Sequence, residues 1–146
     1  MNRKKFISTG CISCMGGGLM LSLLETCSST KITNGKIAGS DMLVTIADFE
    51  ITKGGKRKYK KYLVVENQIL QHPICVFRFD EKNYEALLMK CPHQGAELQV
   101  FGDKLQCPAH GSEFNNRGKV ENGPANAPLR TFPIIIENNE LKISLK

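Results

Sequence analysis

Two six-residue stretches constrain this chain more than any other feature. They read Cys91-Pro92-His93-Gln94-Gly95-Ala96 and, sixteen residues further on, Cys107-Pro108-Ala109-His110-Gly111-Ser112. Each carries one cysteine and one histidine, at C-x-H and C-x2-H spacing, and together they use two of the three histidines in 146 residues. Cysteine thiolate and imidazole are soft or borderline metal ligands, so any fold must bring the two stretches side by side. Two Cys and two His can satisfy a structural zinc ion, but zinc sites usually pair like residues at C-x2–4-C and H-x3–5-H. One Cys and one His per loop suits an object with two metals, each loop reaching across both.

The surrounding sequence reads as short strands. YLVVE (62–66), ICVFRF (74–79) and YEALLMK (84–90) have strand composition and are separated by turn residues. LQVF and KLQC flank Gly102-Asp103, a two-residue hairpin signal. TFPIIIE and LKISLK flank Asn138-Asn139-Glu140, and the second alternates at Leu141, Ile143 and Leu145. Helical periodicity is nearly absent, and the spacing predicts an all-β, small antiparallel sandwich or barrel. A hydrophobic fraction of 41% and a charged fraction of 23% exclude wholesale disorder and suit one domain with one modest core.

The first 27 residues are different in kind. MNRKK precedes Phe6–Leu24, 19 residues without a charge, about 28 Å long as a helix and close to a hydrocarbon core of ~30 Å. A positive start and a soft apolar run rich in Gly and Ser predict an export signal or an uncleaved anchor. NRKKFI resembles a twin-arginine signal with Lys4 at the second arginine. LLETC resembles a lipoprotein box ending at Cys27, with Leu24 in place and Glu25 and Thr26 departing from it. Lipidation at Cys27 and retention of residues 6–24 as an anchor both stand as readings. Residues 28–41 are small and polar and are expected to be a linker, which leaves 42–146 as the domain. Cys11 and Cys14 fall in the leader, and Cys75, within ICVFRF, reads as a small buried hydrophobe.

The formal net charge is +6, and KGGKRKYKKY (53–62) holds six basic residues and two tyrosines. It reads as a solvated hairpin or edge strand whose lysines discourage strand pairing. No motif supports nucleic-acid binding, and none is expected; lipid headgroups or an acidic partner are the functional alternatives. His72, beside Pro73 with no partner motif, reads as a surface or turn residue.

The paired loops match C-x-H-x-G followed by C-x-x-H-G, and on those residues the chain resembles the Rieske iron–sulfur family. Gly123-Pro124-Ala125-Asn126-Ala127-Pro128-Leu129 resembles that family's cluster-covering proline loop. The resemblance spans roughly Met42 to Lys146. It implies one [2Fe-2S] cluster per chain, with Cys91 and Cys107 on one iron and His93 and His110 on the other. Gly95 and Gly111 would permit tight turns that aim amides at the sulfurs, while Ser112 and Pro124 would complete the cofactor site. It also implies a fold with a cluster-binding subdomain of two loops.

Replacing two thiolates by neutral imidazoles makes an added electron less costly, which raises the potential. The quinol-oxidising members brace their loops with a disulfide at positions held here by Ala96 and Ala109. They also carry a tyrosine donor where Phe114 stands, so a lower potential is expected here. The resemblance implies a one-electron carrier, and the N-terminal segment makes the expectation an exported, membrane-tethered one, on the periplasmic face of the membrane or lipid-anchored through Cys27. Its partners would be redox proteins: a cytochrome, a quinol-oxidising complex or an oxidase. The alternatives are a subunit of a quinol–cytochrome reductase or other respiratory complex, a soluble ferredoxin serving an oxygenase or reductase, and a zinc-bound module. No catalytic residue of its own is assigned.

Overall fold

The computed structural model describes residues 32–146; the expected export signal or anchor, with Cys11, Cys14 and Cys27, lies outside the described residues. Within them the fold is all-β, as the spacing predicts: fifteen short strands and a single 3-10 turn, Ile46–Phe49. No helix among them is long and apolar enough to cross a membrane.

The centre is a five-stranded sheet, ordered β1 (Ile32–Asn34), β6 (Tyr62–Glu66), β7 (Ile74–Arg78), β8 (Tyr84–Leu88) and β13 (Thr131–Phe132). Side chains alternate between its faces because successive Cβ atoms on a strand point opposite ways. Leu63, Val65, Ile74, Val76 and Ala86 pack with Met42, Val44, Phe49, Leu141 and Ile143. Val64, Cys75, Phe77 and Leu87 pack with Leu98, Leu105, Phe114 and both loop cysteines. Burial on both faces explains why LVV and ICVF read as unbroken apolar runs rather than alternating ones. Cys75 is fully buried, as expected of a small hydrophobe, and burial pushes its thiol far up.

The first face is covered by a sheet ordered β14 (Ile134–Glu137), β15 (Glu140–Ser144), β3 (Asp41–Thr45) and β2 (Lys36–Ala38). Its β14–β15 hairpin turns on Asn138 and Asn139 alone, with Glu137 opposite Glu140. Both asparagines have positive φ, 51° and 63°, as a two-residue type I′ turn requires. The second face carries a smaller sheet, β12 (Val120–Asn122), β11 (Glu113–Asn115), β10 (Lys104–Gln106) and β9 (Gln99–Phe101), with the expected hairpin at Gly102-Asp103. A separate hairpin, β4 (Glu50–Lys53) with β5 (Lys56–Tyr59), is the solvated basic segment.

Two expectations need correction. The pairing is not wholly antiparallel, because β1 runs parallel to β6 with Ile32 opposite Val64. The segment 28–41 is not simply a linker either: from Ile32 onward it is part of the sandwich. β1 belongs to the central sheet and β2 to the covering sheet, with the single residue Gly35 between them. The Gly35 amide donates to Glu66 O at 2.9 Å, and Asn67 Nδ2 donates to Gly35 O at 2.8 Å. Strands of three residues are too short to show a period, and their polar, small composition reads as linker.

Gly35 tests this directly. A Cβ there would lie 2.7 Å from Met42 Cγ and Sδ and 2.8 Å from Val65 Cγ1, all in the core. Gly35→Ala is expected to cost about 1–3 kcal/mol and to lower Tm by roughly 5 °C or more. Thermal unfolding followed by circular dichroism measures it; an unchanged Tm would restore the linker reading.

Candidate metal centre

Both Cys/His loops leave the same end of the fold. The first follows β8 and is pinned by Met89 N–H to Pro73 O at 2.9 Å and Leu98 N–H to Met89 O at 3.0 Å. The second follows β10 and returns as β11. Although their histidine spacings differ, the loops close alike. Cys91 N–H donates to Ala96 O and Gly95 N–H to Cys91 O, both at 2.8 Å. Cys107 N–H donates to Ser112 O at 2.8 Å and Gly111 N–H to Cys107 O at 2.9 Å. Gly95 (φ 77°) and Gly111 (φ 78°) take the left-handed backbone this closure needs, which a side chain would strain.

Within each loop the second and third residues after the cysteine turn their amides onto its sulfur. His93 and Gln94 donate to Cys91, and Ala109 and His110 donate to Cys107. Both thiols are free, and the Cys91 thiol donates a hydrogen bond to the Cys107 sulfur. Burial raises both, and Cys91 stays above the ordinary thiol value. At Cys107 the amides of His110 and Ala109 and the bond from Cys91 outweigh burial and bring it lower.

The cysteines are buried, at 1% and 2% exposure, whereas His93 and His110 are exposed. The two imidazoles meet edge to face with centroids 5.0 Å apart. Pro92, Pro108 and Pro124 are exposed as well, and neither loop contains a charged residue. The donor set is therefore split into two inner sulfurs and two outer imidazoles. A single zinc ion would draw all four ligands to about 2.0–2.3 Å, and zinc sites usually pair like residues rather than one Cys and one His per loop. The split fits a cluster with sulfur ligands on one iron and nitrogen ligands on the other.

Ser112 is fully buried, and its Oγ accepts the Ala125 N–H at 3.0 Å. That bond ties the second loop to Gly123-Pro124-Ala125, whose Gly123-Pro124 peptide is cis. The hydroxyl proton remains free to be donated elsewhere. The Ala125 amide went unnoticed in the sequence, because a backbone donor leaves no residue signature. Phe114 is fully buried with Cys91 and Cys107 in one cluster. His72 sits half-buried in the bend before β7, and Ala96 and Ala109 leave the loops without a disulfide.

A family model for the Rieske [2Fe-2S] domain matches residues 51–133, more than half of the chain. The chain belongs to the Rieske [2Fe-2S] domain family. It is therefore an electron-transfer protein whose cofactor is a [2Fe-2S] cluster, and the zinc alternative falls away. It is 33% identical over 60 residues to the cytochrome b6-f complex iron-sulfur subunit 2 of Nostoc sp., covering 40% of this chain and 34% of that one. It is 34% identical over 64 residues to the oxygenase component of chloroacetanilide N-alkylformylase from Rhizorhabdus wittichii, covering 42% and 18%. The chain thus spans about a third or less of these relatives' own length. A solved plasma membrane Rieske protein of the cyanobacterium Synechocystis PCC 6803 is similar at a TM-score of 0.50 and 26% identity, over 57% of this chain and 86% of that one.

Ser112→Ala removes the acceptor of a buried Ala125 N–H. A loss of about 1–3 kcal/mol is expected, read as a lowered denaturation midpoint with an unchanged slope.

Proposed function

We propose that this Rieske protein is an exported, membrane-tethered carrier of single electrons, with Cys91 and Cys107 on one iron and His93 and His110 on the other. The observation that carries it is the division between buried sulfurs and exposed, adjacent imidazoles at an uncharged tip. When bound, the cluster supplies one-electron oxidation and reduction. The chain's own residues hold it and tune it. Four loop amides face the two sulfurs, where they offset thiolate charge and favour the reduced state. Ser112 adds a free hydroxyl proton, and buried Ala125, bonded to it, ties the Gly123-Pro124-Ala125 segment to the second loop. Gly95, Gly111 and Pro124 shape the loops around that pocket. The exposed imidazoles provide the exit to a partner redox protein, such as a cytochrome or an oxidase.

Tethering rests on Phe6–Leu24 and the box ending at Cys27; the plasma membrane location of the Synechocystis relative is in keeping with it. Ala96 and Ala109 favour a second reading, a soluble ferredoxin, because a cytosolic protein cannot rely on a disulfide. Cell fractionation separates the two.

His110→Ala is expected to abolish the cluster's EPR signal and visible absorption, and a variant that keeps its full signal refutes the ligand assignment. Phe114→Tyr places a hydroxyl beside the cysteines and is expected to raise the reduction potential, because a donor to sulfur stabilises the added electron. Protein-film voltammetry measures the shift; an unchanged or lowered potential refutes that role.

A further inference from the structure

The basic hairpin stands outside all three layers of the fold. Lys53, Lys56, Arg57, Lys58 and Lys61 are exposed and Lys60 is half-buried, against one carboxylate, Glu50. Arg57 pairs with Glu50 at 3.7 Å, and among the described residues no other cation of this set has an ion pair. The remainder of residues 32–146 holds ten cations and twelve carboxylates, so it is slightly acidic. The positive charge of the described domain is therefore concentrated in one twelve-residue segment, Glu50–Lys61. A dispersed solvating surface would not be so polarised.

The hairpin also has a fixed place. Lys60 N–H donates to Phe49 O and Arg78 N–H to Lys61 O, each at 2.8 Å, and the Arg78 guanidinium lies 4.1 Å from the Tyr59 ring centroid. These contacts hold it at the end of the central sheet where β6 begins and β7 finishes. β7 pairs Ile74 with Leu88 at the other end, and three residues past Leu88 comes Cys91. The second loop agrees: the β11–β12 turn bonds back toward β8 through Arg117 and Glu85, 3.6 Å apart, so Cys107 leaves from the far end of its sheet. The hairpin and the His93/His110 tip thus occupy opposite poles. The chain from the leader enters through β1, which runs the same way as β6, and Thr33 Oγ1 bonds Asp48 Oδ2 at 3.4 Å, two residues before β4. β1 therefore begins level with Val64, midway along β6, and is bonded to the 3-10 turn that leads into β4.

We infer that the Glu50–Lys61 hairpin rests on anionic lipid headgroups and so orients the domain with its His93/His110 pole away from the bilayer. The inference rests on the tethering reading above. Headgroups rather than an acidic protein are favoured because the apolar Phe6–Leu24 stretch precedes the hairpin in the same chain, and the six clustered cations complement anionic headgroups. In that seat the electron exit faces water and a carrier dissolved in it.

The test uses the full chain, cluster-loaded, sedimented with vesicles of phosphatidylcholine alone or with one-third phosphatidylglycerol. Phosphatidylglycerol is expected to raise wild-type partition about tenfold or more at low salt. The variant Lys53→Gln, Lys56→Gln, Lys58→Gln, Lys61→Gln should lose most of that gain, while arginine at the same four positions should keep it. Equal gains in the wild type and the glutamine variant overturn the inference and leave an acidic protein or a nucleic acid as the hairpin's partner. Failure of the wild type to enter phosphatidylcholine vesicles overturns the tethering reading instead, since hairpin charge plays no part in that arm.

Discussion

Two cysteine sulfurs, buried and yet each facing two backbone amides, set the terms for the rest of this molecule. Sulfur that must carry charge out of water needs donors in place of the lost solvent. The chain provides them from two loops closed by identical backbone bonds. Those loops can meet only if β8 and β10 end at the same level, which fixes how the small sheet lies on the central one. The ion pair of Arg117 with Glu85 and the packing of Leu98, Leu105 and Phe114 against Val64, Phe77 and Leu87 hold that placement.

The histidine offset between the loops follows from the same geometry. The amides that face sulfur come from the second and third residues after each cysteine. In the first loop the histidine is the second of these, and in the second loop the third. Shifting one histidine by a residue brings both imidazoles to the exposed edge, 5.0 Å apart, without altering either loop's closure. C-x-H and C-x2-H are two decorations of one backbone form.

The site was legible in the sequence because its chemistry resides in side-chain identity and spacing. The hairpins were legible at Gly102-Asp103 and Asn138-Asn139, where turn residues report the backbone directly. What escaped was held by the backbone or by contacts distant in sequence. Ala125 serves through its N–H, and Gly35 matters for the side chain it lacks, against Met42 and Val65. β1 and β2 carry only three residues each, and β1 is stabilised by a parallel partner 32 positions away. No local pattern encodes such a pairing.

The bracing of the centre bears on where the protein can work. A disulfide across the loops would make their integrity depend on an oxidising compartment. Ala96 and Ala109 remove that dependence, and the loops are instead held by amide closures, the Ser112–Ala125 bond and buried Phe114. These contacts are as strong in reducing surroundings as in oxidising ones. Outside the centre, the described domain separates its charge, with the six cations of the hairpin at one pole and two exposed imidazoles at the other. A long-range dipole of this kind orients a tethered domain over an anionic surface within about a Debye length, ~8–10 Å. The histidine tip, where neither loop carries an acidic, lysine or arginine side chain, offers shape and apolar surface in place of such charge.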